Sequence, residues 1–228
     1  MTAPVIGSRP GPFLVTDYIG YVKVSSRVDV PTGQWFESAE GVKWWFDSGS
    51  LALDFAYTGG LGAADGRIDH PWEFLRSTAD LDDWLGGRMP AGPATERDVA
   101  DAHALRGAIT RLALSRSRDL PLAGTDIDLV NLYGATPDIP PRLDGGSRQA
   151  GRTEPRAAQA LSTIARDAIA LFDADASGRI RECDGEDCTL VYLDTSRGGT
   201  RRWCSMQRCG NRHKVRAHRE RRARVDQD

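Results

Sequence analysis

All four cysteines of this chain fall in its last quarter, as Cys183, Cys188, Cys204 and Cys209. They make two matched C-x4-C pairs with fifteen residues between them. No other feature constrains the fold as much, because paired thiols in a reducing compartment are the usual mark of a tetrahedral Zn²⁺ site. Thiolate is a soft ligand, and the d¹⁰ ion imposes no geometry of its own. Four thiolates also close the coordination shell, which makes the expected single zinc structural rather than catalytic. A disulfide pair or a redox switch is the competing reading of the same thiols. His213, one helical turn past Cys209, is an alternative ligand that four thiols make unnecessary.

The residues around the pairs suit a small metal-held module. "CDGEDC" reads as a polar turn, "TLVYLD" as a strand, "SRGGT" as a second turn and "RRWC" as a returning strand. A helix is expected from about Asn211, with Asn211 as its cap. Some forty residues cannot build a large core alone. A bound zinc contributes on the order of 10 kcal/mol to folding such a module.

Charge sharpens the reading. The net charge is only −2, yet eleven of the basic residues and only three of the acidic ones lie from Ser196 onward. Arg201 and Arg202 sit on the expected returning strand and Arg208 between the second pair of thiols. Arg212, Lys214, Arg216, Arg219, Arg221 and Arg222 follow on the expected helix. At helical spacing Arg212, Arg216 and Arg219 share one face, and Lys214, His218 and Arg222 share another. A charged run is ordinarily a solvated face, but this one has Glu220 as its sole acid before Val225, so an isolated helix would repel itself. A polyphosphate partner removes that penalty and releases condensed counterions. The expected partner is therefore nucleic acid, with double-stranded DNA leading and RNA open, since phosphate attraction does not separate them. The alternative is a zinc-stabilised adaptor that docks RNA or an acidic protein, such as the acidic part of a second copy in a homodimer.

Upstream the pattern is mainly α. Thr95 followed by Asp98 opens the clearest helix, with Val99, Ala102, Leu105, Ile109 and Leu112 on one stripe. Short helices are expected over "SLALDFAYTGG" and "DLDDWLGG", each stopped by paired glycines. Thr125 is a candidate cap for another, and Pro155 fits the first turn of a helix that carries Leu161, Ile164, Ala165, Ala168 and Phe172. The expected organisation is an extension over 1–43 with short strands around "YIGYVKVSSRVDV", a helical domain over 44–175 and a zinc-bound hairpin-plus-helix module over 179–225. A Pro- and Gly-rich loop after Gly134 has room for a short hairpin. Trp44, Trp45, Trp72 and Trp84 read as core, and Trp203 as a shield beside the metal. Asp54, Tyr57 and Asp65 are candidates for lining a small-molecule pocket, weighed against ordinary capping and surface roles. No G-x-S-x-G motif or phosphate loop occurs, so the chain reads as a non-enzyme. No apolar run is long enough to span a bilayer and "MTAPVIGSRPGPFLV" does not read as a signal peptide, so a cytoplasmic protein without membrane partners is expected.

"RRWCSMQRCGNRHK" resembles the signature of CGNR-type zinc fingers, through Cys209-Gly210-Asn211-Arg212, and the likeness runs from about Arg181 to Arg222. "SGSLALDFAYTGG", "DLDDWL" and "ALRGAITRLAL" resemble, in order, segments of the ABATE domain that accompanies such fingers. The family's usual "LDFVNT" stands here as "LDFAYT", with Ala56 and Tyr57 in place of Val and Asn. The resemblance implies a helical N-terminal domain, a finger whose zinc ligands are Cys183, Cys188, Cys204 and Cys209, and a stress-responsive bacterial transcription regulator that binds DNA. In that reading the helical domain senses a signal, of unknown effector, or mediates assembly.

Overall fold

The computed structural model describes residues 30–37, 41–60, 73–141, 153–173, 178–186 and 188–225. Asp65, Trp72, nearly all of the strand expectation at residues 18–30 and most of the loop expected to hold a hairpin lie outside these residues.

Strands β1 (Gln34–Glu37) and β2 (Lys43–Phe46) form an antiparallel hairpin, with Phe36 opposite Trp44 and Trp35 opposite Trp45. The two-residue alternation sends Phe36, Trp44 and Phe46 into the core and leaves Trp35 and Trp45 outside. Trp45 is thus not core: its ring meets Trp35 edge to face, with centroids 5.5 Å apart.

Helix α1 (Leu51–Ala56) is short and buried at every residue, and the Ser50 hydroxyl accepts from Leu53 N–H at its start. Helix α2 (Thr78–Gly86) is capped in the same way by Ser77 and ends at the expected glycines. The long α3 (Glu96–Ser117) opens with the expected reciprocal box between Thr95 and Asp98 and buries its expected stripe. Helix α4 (Gly124–Gly134) starts one residue before the expected cap. Ala123 takes the N-cap position without a side-chain bond, and Thr125 falls inside the helix. Helix α5 (Ala157–Phe172) has Arg156 at its N-cap, so Pro155 precedes the helix instead of occupying its first turn. The Gln159 side chain accepts the Arg156 N–H there. Helices α3, α4 and α5 pack on one another, and α1 lies against α3 and α5.

A second antiparallel pair follows, β3 (Ile180–Glu182) with β4 (Val191–Leu193). "RRWC" is not the partner strand: β4 pairs upstream with β3, and residues 201–204 form no strand. They return close by, with Asp184 N–H donating to Arg202 O at 2.9 Å. A turn of π-helix (Met206–Gly210) then runs into α6 (Asn211–Val225). The helical path therefore begins at Met206, and Asn211 continues it rather than capping it. The architecture is mainly α, with two small hairpins.

One buried cluster joins the two regions. Ile180, Leu190, Val191, Tyr192, Leu193 and three of the cysteines belong to the same core as the helices.

Candidate metal centre and basic helix

The four thiols converge from three pieces of chain. Cys183 leaves β3, Cys188 precedes β4, and Cys204 and Cys209 flank the start of the π-turn. Their sulfur atoms all lie within 4.8 Å of one another. Cys188 and Cys204 are 3.7 Å apart, and Cys204 and Cys209 3.6 Å. Tetrahedral zinc with Zn–S bonds of about 2.3 Å requires sulfur pairs about 3.8 Å apart, so the donor set fits the ion in both chemistry and spacing. Gly185 makes room for the convergence, since a Cβ there would stand 3.2 Å from Cys209 Sγ and 3.1 Å from Cys188 Cβ. Backbone amides also point at sulfur: Gly185 N–H and Cys204 N–H both donate to Cys183 Sγ. Hydrogen bonds from the Cys188 and Cys204 thiols hold Cys183 below its ordinary pKa.

Four thiolates around a divalent ion leave two negative charges, and cations stand next to them. Arg212 and Arg216 line a crevice over Cys188 and Cys209 together with Asp184, Glu186 and His213. His213 is not among the converging metal-binding groups; its ring packs against Trp203, with centroids 5.3 Å apart. Trp203 is half-buried between that ring and the Arg202 guanidinium.

The expected nucleic-acid residues divide by environment. Arg201 turns inward. It donates to Asp47 O at 2.8 Å, to Trp203 O at 3.1 Å and to Cys204 O, and stacks over the Tyr192 ring. Arg208 also packs inward, 3.8 Å above the Trp44 ring. Arg202 is exposed and paired with Asp184 at 2.7 Å, and Arg216 is paired with Glu186. Arg212, Lys214, Arg219, Arg221 and Arg222 are exposed on α6, with no ion pair among the described residues.

The finger's root is bolted to the helical region by contacts that no spacing rule reveals. In the β3–β4 pair, Cys183 N–H bonds Leu190 O and Asp194 N–H bonds Arg179 O. By the antiparallel alternation, Val191 and Leu193 direct their backbone groups to the other, outer edge of β4 for at least the bonds seen there. The Tyr57 hydroxyl closes that edge at Val191: it accepts the Val191 N–H at 2.6 Å and donates to the Val191 carbonyl at 2.8 Å. Ser48 O closes it at Leu193, at 2.8 Å. Gly49 permits the approach: it has φ +78°, and a Cβ would meet Leu193 O at 2.7 Å. Burial holds the Tyr57 hydroxyl well above its ordinary pKa, so it stays a donor. Tyr57 is thus a clasp on β4. Asp54 is likewise buried, accepting from Gly33 N–H and the Ser48 hydroxyl at 2.6 Å each.

Comparison with known families bears on this arrangement. Residues 49–175, more than half of the chain, match the family model described as "Putative stress-induced transcription regulator", ABATE. The chain belongs to the ABATE family. Residues 179–222 match the CGNR zinc finger, and in this ABATE protein the converging thiols can bind one zinc ion. No curated protein matches the chain. No helix of the described residues is long and apolar enough to cross a membrane.

Proposed function

We propose that this ABATE protein is a DNA-binding transcription regulator in which Cys183, Cys188, Cys204 and Cys209 hold one structural zinc, and the zinc-rooted α6 delivers cations to phosphates. When bound, the ion supplies a fixed tetrahedral anchor. The chain's own residues do the rest. Cys204 and Cys209 fix the π-turn, Arg201 and Arg208 brace it against β2 and the loop after it, and α6 leaves the body at an angle set by that brace.

One observation carries the reading: α6 is exposed along nearly its whole length while bearing seven cations and one acid. A helix of fifteen residues, about 22 Å long, gains little from packing here and loses stability to its own charge. A polyanion reverses that balance. Arg212, Lys214, Arg219, Arg221 and Arg222 are the proposed phosphate contacts, joined by Arg202 and Arg216 when their acidic partners are displaced. Arg201 and Arg208 act on orientation and make no nucleic-acid contact. We further propose a working division into a helical unit over 44–175, which receives the signal or mediates assembly, and a zinc unit over 179–225, the two sharing one core.

Neutralising five phosphates gives a slope of log K on log[salt] of about −4.5 for duplex DNA. Fluorescence anisotropy with random-sequence duplex at several salt concentrations measures it. A slope near zero sinks the proposal, and tighter binding to RNA of matched length moves the assignment from DNA to RNA.

A further inference from the structure

The helical region carries an opening unrelated to the basic helix. A cavity of about 360 Å³ lies between β1, Thr58, the residues just before α2, and α2 itself. Its wall includes the aromatic side chains Trp35, Phe36, Phe74 and Trp84, and its charged side chains are Asp80 and Asp83. Among the described residues no Lys or Arg lines it.

Three features give this lining a chemical sense. Trp35 and Phe74, both on the cavity wall, are 67% and 55% exposed. Trp84 is held in place by the edge of Phe55, at 5.2 Å between centroids, and by the Arg88 guanidinium stacked 4.1 Å from its ring centre. Arg88 is not among the residues that line the cavity. Asp80 is fixed by the hydrogen bonds that open α2, from Arg76 N–H and the Ser77 hydroxyl, and those bonds keep its carboxyl below the usual range. Asp83 lies one residue before Trp84 and forms no ion pair among the described residues. Electron-rich ring faces beside carboxylates attract cations and repel anions. An anionic ligand would be repelled by both carboxylates, and a neutral apolar one would leave Asp83 unanswered.

We propose that this cavity binds a small organic cation of the N-alkylated ammonium class, its charged head against the Trp35, Phe74 and Trp84 rings and within reach of Asp80 and Asp83. Thr58 in the cavity wall directly follows Tyr57, the residue that clasps β4, so the site adjoins the seam between the helical region and the finger. This inference does not depend on nucleic-acid binding.

The test uses the full-length, zinc-loaded protein with choline as probe and 3,3-dimethylbutan-1-ol as its uncharged isostere. Calorimetry and tryptophan fluorescence follow each titration at constant ionic strength. The expected result is saturable binding of one choline per chain, at least about 10-fold tighter than the isostere. Trp35→Ala and Asp83→Asn, both at exposed positions, should each weaken it about 3- to 30-fold while circular dichroism stays unchanged. Absence of saturable choline binding overturns the proposal. So does equal affinity for the isostere, which would make the cavity merely apolar, and so does choline affinity indifferent to both substitutions, which would place the cation elsewhere.

Discussion

Tyr57→Phe isolates the clasp between the helical region and the finger, because it removes one oxygen and leaves the ring that packs against Phe36 and Phe46. The hydroxyl is partner to two backbone groups of Val191, and both Tyr57 and Val191 are fully buried. Its loss strands a buried N–H and a buried carbonyl. Each stranded group costs about 1–3 kcal/mol, so the expected destabilisation is about 2–4 kcal/mol after partial relaxation. For a chain of this size that is a fall in thermal midpoint of roughly 5–15 °C. Urea unfolding of the zinc-loaded protein gives the free energy, and hydrogen exchange at the Val191 amide gives the location. Exchange there should quicken by more than the global loss alone accounts for, and a chelator should extract zinc faster, since β4 begins three residues after Cys188. A destabilisation below about 0.5 kcal/mol, or a Val191 amide that exchanges no faster than in the parent protein, refutes the reasoning.

Three further outcomes are expected. Removing zinc with a chelator should abolish the helical circular dichroism of α6 and the duplex affinity together, since the ion contributes on the order of 10 kcal/mol to the module; retention of both would remove the metal from the scaffold. Arg201→Ala should lower the unfolding midpoint, because three carbonyls lose their donor, whereas Arg221→Ala should change stability by less than about 0.5 kcal/mol and reduce the salt slope by about one. Burial raises Asp54 from 3.8 to about 6, against the opposing bonds from Ser48 and Gly33. A raised carboxyl contributes stability that is complete below pH 3.8 and lost as pH rises through about 6, a change on the order of 3 kcal/mol. Asp54→Asn should flatten that window, read as the difference between the two proteins' urea midpoints from pH 4 to 7, since acid protonates thiolates in both.

How much of this was legible in the sequence depends on whether local signals decided each element. Thr95 and Asp98 sit three apart and satisfy each other's backbone, so the start of α3 could be read directly. The converging thiols could be read because metal ligands carry their chemistry in residue type and spacing. Thr125 misled because α4 begins without any side-chain cap, and the glycine before Thr125 carries the helix start. "RRWC" misled because its strand-like composition competes with β3, which offers β4 an earlier partner. Arg201 and Arg208 looked like their neighbours in a basic run. Only the tertiary positions of Tyr192 and Trp44 separate them from the exposed cations of α6. Trp45 illustrates the limit of composition: one residue of register in β2 decides whether a tryptophan faces core or water.

The clasp of Tyr57 on Val191 spans 134 positions of chain. A finger closed by an oxygen from so far upstream is not a cassette. Grafted onto another carrier, it would arrive with one raw strand edge, and its recipient would need to offer a hydroxyl at the same height before the arginines of α6 could be aimed at anything.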